Sequence, residues 1–131
     1  MPDRAISYEE LIPGYKFPPV TYQLSPSFIS KYLQAVDGTA GEFVPPLAIA
    51  ACAIAGMTKS VPIPSGAVAI HASQEVEFFK PVVVGATVEC QIKVMQKIAR
   101  GKMTMLVLEL EVLDQGKEKV QSGRATVALT V

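Results

Sequence analysis

The chain has 131 residues, a length that suits one domain with a sizeable core and leaves little room for a second folded unit. Half the residues are hydrophobic and 18% are charged, which excludes a disordered chain. Twelve basic residues balance twelve acidic ones, so no net charge points to nucleic acid or to an anionic membrane surface.

The residue inventory narrows the chemistry further. Cys52 and Cys90 lie inside apolar stretches, with no metal-ligand spacing around them. Two buried thiols are expected, with one disulfide as the alternative. His71 is the single histidine, so a zinc or iron centre built on histidines is not expected, and no cofactor is implied. The start, Met1-Pro2-Asp3-Arg4-Ala5, has no apolar run of a signal peptide. The most apolar helical run, Pro45 to Met57, is too short to span a bilayer. A cytoplasmic protein is expected.

In chain order, prolines dominate the first third and argue for short elements. Val20, Tyr22 and Leu24 alternate within Tyr15 to Leu24, a short edge strand, because Pro18-Pro19 would break a central ladder. Ser25-Pro26 is an N-cap followed by proline at the first helical position. Phe28, Ile29, Tyr32, Leu33 and Val36 follow at helical spacing and predict a helix over 27–36, with Gly38 as its stop. Thr39 to Val44 is a loop. Pro45-Pro46 opens a second helix to about Lys59. That helix is apolar all round and rich in alanine, so it is expected to be buried on most sides.

From Gly66 the period changes to two. Val68, Ile70, Ala72, Val76 and Phe78 are expected on one face of a first long strand. By that alternation His71, Ser73 and Glu75 face away from the helix. Val88, Cys90, Ile92 and Val94 line a second strand. Leu106, Leu108, Leu110 and Val112 line a third. Ala125, Val127, Leu129 and Val131 line a fourth, with Arg124 and Thr126 outward. Short turns between long strands predict antiparallel pairing. The fold class is α+β: an antiparallel sheet curled around a central apolar helix, one domain over 1–131. Its free edges invite dimerisation.

His71, Gln74, Val76, Phe78, Pro81, Val82, Gly85, Ala86 and Val88 fall at fixed spacing. That segment, with the order of elements, resembles the MaoC-like hydratases and dehydratases of the hotdog fold. It is most similar to the N-terminal half of the double-hotdog enzymes and to the non-catalytic subunit of (3R)-hydroxyacyl-thioester dehydratases. The resemblance implies an acyl-CoA or acyl-carrier-protein thioester as ligand, and a homodimer or a heterodimer with a catalytic hotdog chain. In the residues themselves, Pro81 ends a strand and Gly85 permits the reversal that follows.

Hydration of a 2-enoyl thioester needs donors that polarise the carbonyl and an acid/base pair that handles water. The resemblance places that pair in a D-x-N-P-x-H loop ahead of the central helix. Here the loop reads Asp37-Gly38-Thr39-Ala40-Gly41-Glu42. Asp37 matches the aspartate, and Glu42 stands where the histidine belongs. The thioester would sit at the helix start, Pro46, Leu47 and Ala48, where two prolines reduce the N–H donors. His71 and Gln74 are read as an interface or polar site. The leading expectation is a hydratase or dehydratase subunit with an incomplete Asp/His motif. The alternatives are a hotdog thioesterase using Asp37 or Glu42, and an acyl-thioester-binding module without chemistry.

Overall fold

The computed structural model describes residues 6–39 and 41–130. Strand β1 is Val20–Gln23 and helix α1 is Pro26–Val36. Helix α2 is Pro46–Ser60. Four long strands follow: β2 Val68–Phe78, β3 Thr87–Arg100, β4 Met103–Leu113 and β5 Lys119–Thr130. All pairings are antiparallel, in the order β1-β3-β4-β5-β2. Consecutive strands β3, β4 and β5 form hairpins. β2 is carried around to the far edge beside β5.

Local signals set most of these elements. The Ser25 hydroxyl accepts from the Phe28 N–H at 3.2 Å, and Pro26 occupies the first helical position of α1. Such a cap stabilises a helix by about 1 kcal/mol. The helix ends at Val36, as its spacing predicts, and its cap falls one residue before Gly38. Asp37 takes the left-handed conformation with φ 55°, and the Gly38 N–H donates to the Leu33 carbonyl at 2.8 Å. Gly101 and Gly85 adopt φ of 61° and 100°, where the chain reverses and glycine is favoured.

The core lies between α2 and the concave face of the sheet. Ala48, Ile49, Cys52, Ala53 and Met57 of α2 are buried there. They pack in one cluster with Val88, Cys90, Ile92 and Val94 of β3 and with Leu106, Leu108, Leu110 and Val112 of β4. Each large side chain so buried contributes about 1.5–3 kcal/mol. This is the curled sheet on a central helix of the hotdog fold. One stripe of α2, Leu47, Ala51, Ala55 and Thr58, stays exposed, so the helix is covered on most sides but not all.

β2 departs from the alternation expected of it. Ala69 and His71 pair with the inward Leu129 and Val127, whereas Gln74 and Val76 pair with Ala125 and Gly123. The register shifts between His71 and Ser73. This bulge inserts one residue and reverses the parity of everything before it. Val68 and Ile70 therefore lie on the outer face, 58% and 52% exposed, while Val76 and Phe78 lie on the inner face. His71 faces inward, the opposite of the sequence expectation. The expected inward Val131, the loop residue Ala40 and the segment 1–5 lie outside the described residues.

Candidate functional site

The start of α2 is anchored from two sides. Pro45 occupies the N-cap position without a side-chain cap, and Pro46 is the first helical residue. The Ala48 N–H donates to the Pro45 carbonyl at 2.9 Å. Of the two donors expected to be free here, this leaves the Leu47 N–H, beside a side chain that is 63% exposed. Below the helix start, Gln121 of β5 is buried at 3% exposure and donates from Nε2 to the Pro46 carbonyl at 2.7 Å. Gln121 was absent from the sequence reading. Its signal was parity: it shares the inward register of Ala125 and Val127, where a polar residue needs a partner.

The loop before α2 is pinned by its backbone. The Val44 N–H donates to the Val82 carbonyl at 2.7 Å, and the Val84 N–H donates to the Glu42 carbonyl at 3.1 Å. Phe43 and Val83 form an isolated antiparallel bridge between these contacts. The Glu42 side chain is exposed, as is Asp37 at the end of α1. Neither carboxylate has a hydrogen bond or ion pair to another described residue.

His71 and Gln74 are brought together. The β2 bulge places both on the inner face although they are three residues apart, and His71 Nε2 lies 3.0 Å from Gln74 Oε1. Gln74 donates from Nε2 to the Glu75 carbonyl at 3.1 Å, which leaves Oε1 as acceptor. His71 then carries its proton on Nε2, and Nδ1 is the free lone pair in the neutral ring.

Two separate cavities lie between α2 and the sheet. The first, of only about 10 Å³, is walled by Ala50 and Ala53 of α2, Gln74 and Val76 of β2, and Gln121 and Gly123 of β5. The second, of about 180 Å³, lies at the other end of α2, among Met57, Val61, Ile63, Ala69, His71 and Val127. Thr58 also lines it, its hydroxyl donating to the Ile54 carbonyl at 3.0 Å.

Other chemistries find less support. Cys52 and Cys90 are free, buried thiols, so the disulfide alternative is not realised. Burial pushes the Cys52 thiol up to about 11 and the Cys90 thiol up to about 12. Both are poor nucleophiles. Among the described residues, no group of three His, Cys, Asp or Glu side chains could hold a metal ion. No helix formed by those residues is long and apolar enough to cross a membrane.

This architecture has close structural counterparts. The (R)-hydratase PhaJ1 of Pseudomonas aeruginosa superposes with a TM-score of 0.76 at 19% identity, over 94% of this chain and 84% of its own. A MaoC-like dehydratase from Rhodospirillum rubrum gives 0.75 at 18% identity, over 95% and 97%. A hot-dog-like protein from Thermanaerovibrio acidaminovorans gives 0.70 at 19% identity, over 93% and 85%. At such identities the likeness is one of fold. No curated protein sequence matches the chain. One family does match in sequence, over residues 21–122, more than three quarters of the chain. That family is described as FAS1-like, dehydratase domain region, and the chain belongs to it.

Proposed function

We propose that this protein is the non-catalytic subunit of a (3R)-hydroxyacyl-thioester dehydratase, or enoyl-thioester hydratase, binding an acyl-CoA or acyl-carrier-protein thioester. One observation carries the reading: the only imidazole of the chain is at the wrong end of the central helix. His71 lines the cavity at Met57 and Val61. The helix start at Pro46 is about 16 Å away along the axis from Met57. A base at that distance does not reach water beside a thioester held at Leu47.

The carboxylates do not replace it. Asp37 and Glu42 are solvent-exposed, and neither is held by a second side chain that would position it over a substrate. The family membership supports dehydratase chemistry in the assembly. The missing imidazole at the helix start supports its delivery by a second hotdog chain. The long edge strand β2 supplies the means of association, since its outer backbone groups are unpaired within the sheet.

The test is enoyl-CoA turnover by the isolated chain, by Asp37→Ala and Glu42→Ala, and by the chain co-expressed with a hotdog partner carrying D-x-N-P-x-H. The isolated chain and both variants are expected to be equally poor, and the complex faster by at least about 10²-fold. Robust turnover by the isolated chain, abolished by both substitutions, refutes the reading. Release of free thiol from acyl-CoA by the isolated chain would favour the thioesterase alternative.

A further inference from the structure

We propose that a second copy of this chain pairs with β2 about a two-fold axis at Gln74, and that Phe78 of each copy fills the cavity beside Ala69 of the other. The pairing does not depend on the ligand. Without a catalytic hotdog chain the protein is a homodimer, and such a chain would compete for the same edge.

The helix of one chain leaves the inner side of β2 open. By their pairing with β5, Ala69, His71, Gln74, Val76 and Phe78 face inward. None of the five is buried, and Phe78 is 49% exposed. An aromatic ring left in water forfeits a large apolar burial. The edge also lacks the residues that discourage pairing, since Val68–Phe78 contains neither proline nor lysine. The opposite edge, β1, is only four residues long, with Pro18-Pro19 before it and Pro26 after.

Parity and charge select the register. Residues directly opposite in an antiparallel pair share a face of the sheet. The bulge between His71 and Ser73 sets Ala72 outside the ladder to β5. Inward residues of one copy must meet inward residues of the other, so the axis falls on a residue and not between two. An axis at Glu75 would set two like charges opposite each other, which is destabilising. An axis at Ser73 would leave Phe78 beyond the paired strand. An axis at Gln74 sets Val76 opposite His71 and Phe78 opposite Ala69.

The ring and the cavity match in size and in chemistry. The cavity of about 180 Å³ is lined by Met57, Val61 and Ile63 on the helix side, and by Ala69, His71 and Val127 on the sheet. A cavity of about 150 Å³ holds one benzene ring. Ala69 has a side chain short enough to let the ring of Phe78 of the partner subunit lean over it toward Met57 and Val61. Ile63, exposed in the single chain, would be covered by the same ring. The knob and the hole thus lie on one strand, at two positions that a two-fold axis at Gln74 brings together.

The experiment joins a cross-linking test to a measurement of mass. Gln74→Cys and Ser73→Cys are each made in the full chain, oxidised with copper phenanthroline, and run on a non-reducing gel beside wild type. Residues opposite each other at a two-fold axis have Cβ atoms about 4.5–5.5 Å apart, close to disulfide reach. Gln74→Cys is expected to run at twice the 14.0 kDa of one chain. Ser73→Cys and wild type, whose Cys52 and Cys90 are buried, are expected at the single-chain mass. Analytical ultracentrifugation then compares wild type with Phe78→Ala and Phe78→Leu, with circular dichroism to verify folding. The dimer of Phe78→Ala is expected to be at least about tenfold weaker, and that of Phe78→Leu to fall between. A cross-link at Ser73→Cys in place of Gln74→Cys, or a Phe78→Ala dimer as tight as wild type, overturns the pairing. A wild type that is monomeric alone and joins only a hotdog chain carrying D-x-N-P-x-H also overturns it, and leaves the proposed function standing.

Discussion

Gln121 Nε2 donates to the Pro46 carbonyl at 2.7 Å, joining the middle of the sheet to the first turn of the buried helix. The bond spans 75 residues of sequence and ties the candidate thioester site to β5. Gln121→Ala removes the donor and leaves a void beside Ala50 and Ala53. The expected loss is about 1–3 kcal/mol. Urea denaturation measures it, and an unchanged midpoint would show the bond to be energetically silent.

Gly123 of β5 pairs with Val76 of β2 and has no room for a side chain. In Gly123→Ala the new Cβ would meet the Glu75 carbonyl oxygen at 2.5 Å, a backbone atom that cannot rotate away. The strands must separate, at an expected cost of about 1–3 kcal/mol. Thermal melting compares the two proteins, and equal stability would mean that β2 is held less firmly than its register implies.

The buried thiols should be silent in the native protein. With Cys52 held near 11 and Cys90 near 12, thiolate is scarce at pH 8. An aromatic disulfide reagent is expected to titrate neither thiol in the native state and both in concentrated guanidinium. Rapid reaction of one equivalent before unfolding would contradict the burial.

Asp114 and Lys80 brace the β4–β5 turn against the end of β2. Lys80 Nζ lies 2.6 Å from Asp114 Oδ2 and 2.9 Å from Glu118 Oε1. The Lys80 hydrogen bond holds the Asp114 carboxyl below its ordinary value, helped by the Glu118 and Gly116 N–H groups. A depressed folded pKa adds stability that is present above the unfolded value of about 3.9 and lost as pH falls through the folded one. Asp114→Asn keeps an acceptor for both N–H groups and removes the charge. Its melting temperature is expected below wild type at pH 7, with the gap closing as pH drops under 4. A constant gap across that range would assign the effect to shape rather than charge.

The β2 edge predicts association. Ten of its eleven residues pair with β5 and none with a further strand, and its Val68 and Ile70 are exposed apolar side chains. Light scattering at micromolar concentration is expected to exceed the 14.0 kDa of one chain. Val68→Lys combined with Ile70→Lys is expected to lower the mass toward that value. A wild-type particle at the mass of a single chain would rule out self-association through this edge.

Much of the fold was legible in the residues, because its signals are local. Alternation at Val88 to Val94 and at Leu106 to Val112 placed the right side chains inward, since a regular strand has a strict period of two. Ser25-Pro26 marked the start of α1, and the alanine-rich run after Pro46 marked the helix that the sheet wraps. The bulge between His71 and Ser73 was not legible. It is set by pairing with β5, whose partner residues lie more than fifty positions away. That one inserted residue turned His71 inward, brought it to Gln74, and put Val68 and Ile70 on the outer face. The role of Gln121 was hidden for the same reason: a glutamine becomes an anchor only when folding sets it against the Pro46 carbonyl. Periodicity reports which face a regular strand buries, whereas tertiary pairing decides where the regularity breaks, and the inward polar residues of β2 sit where it does.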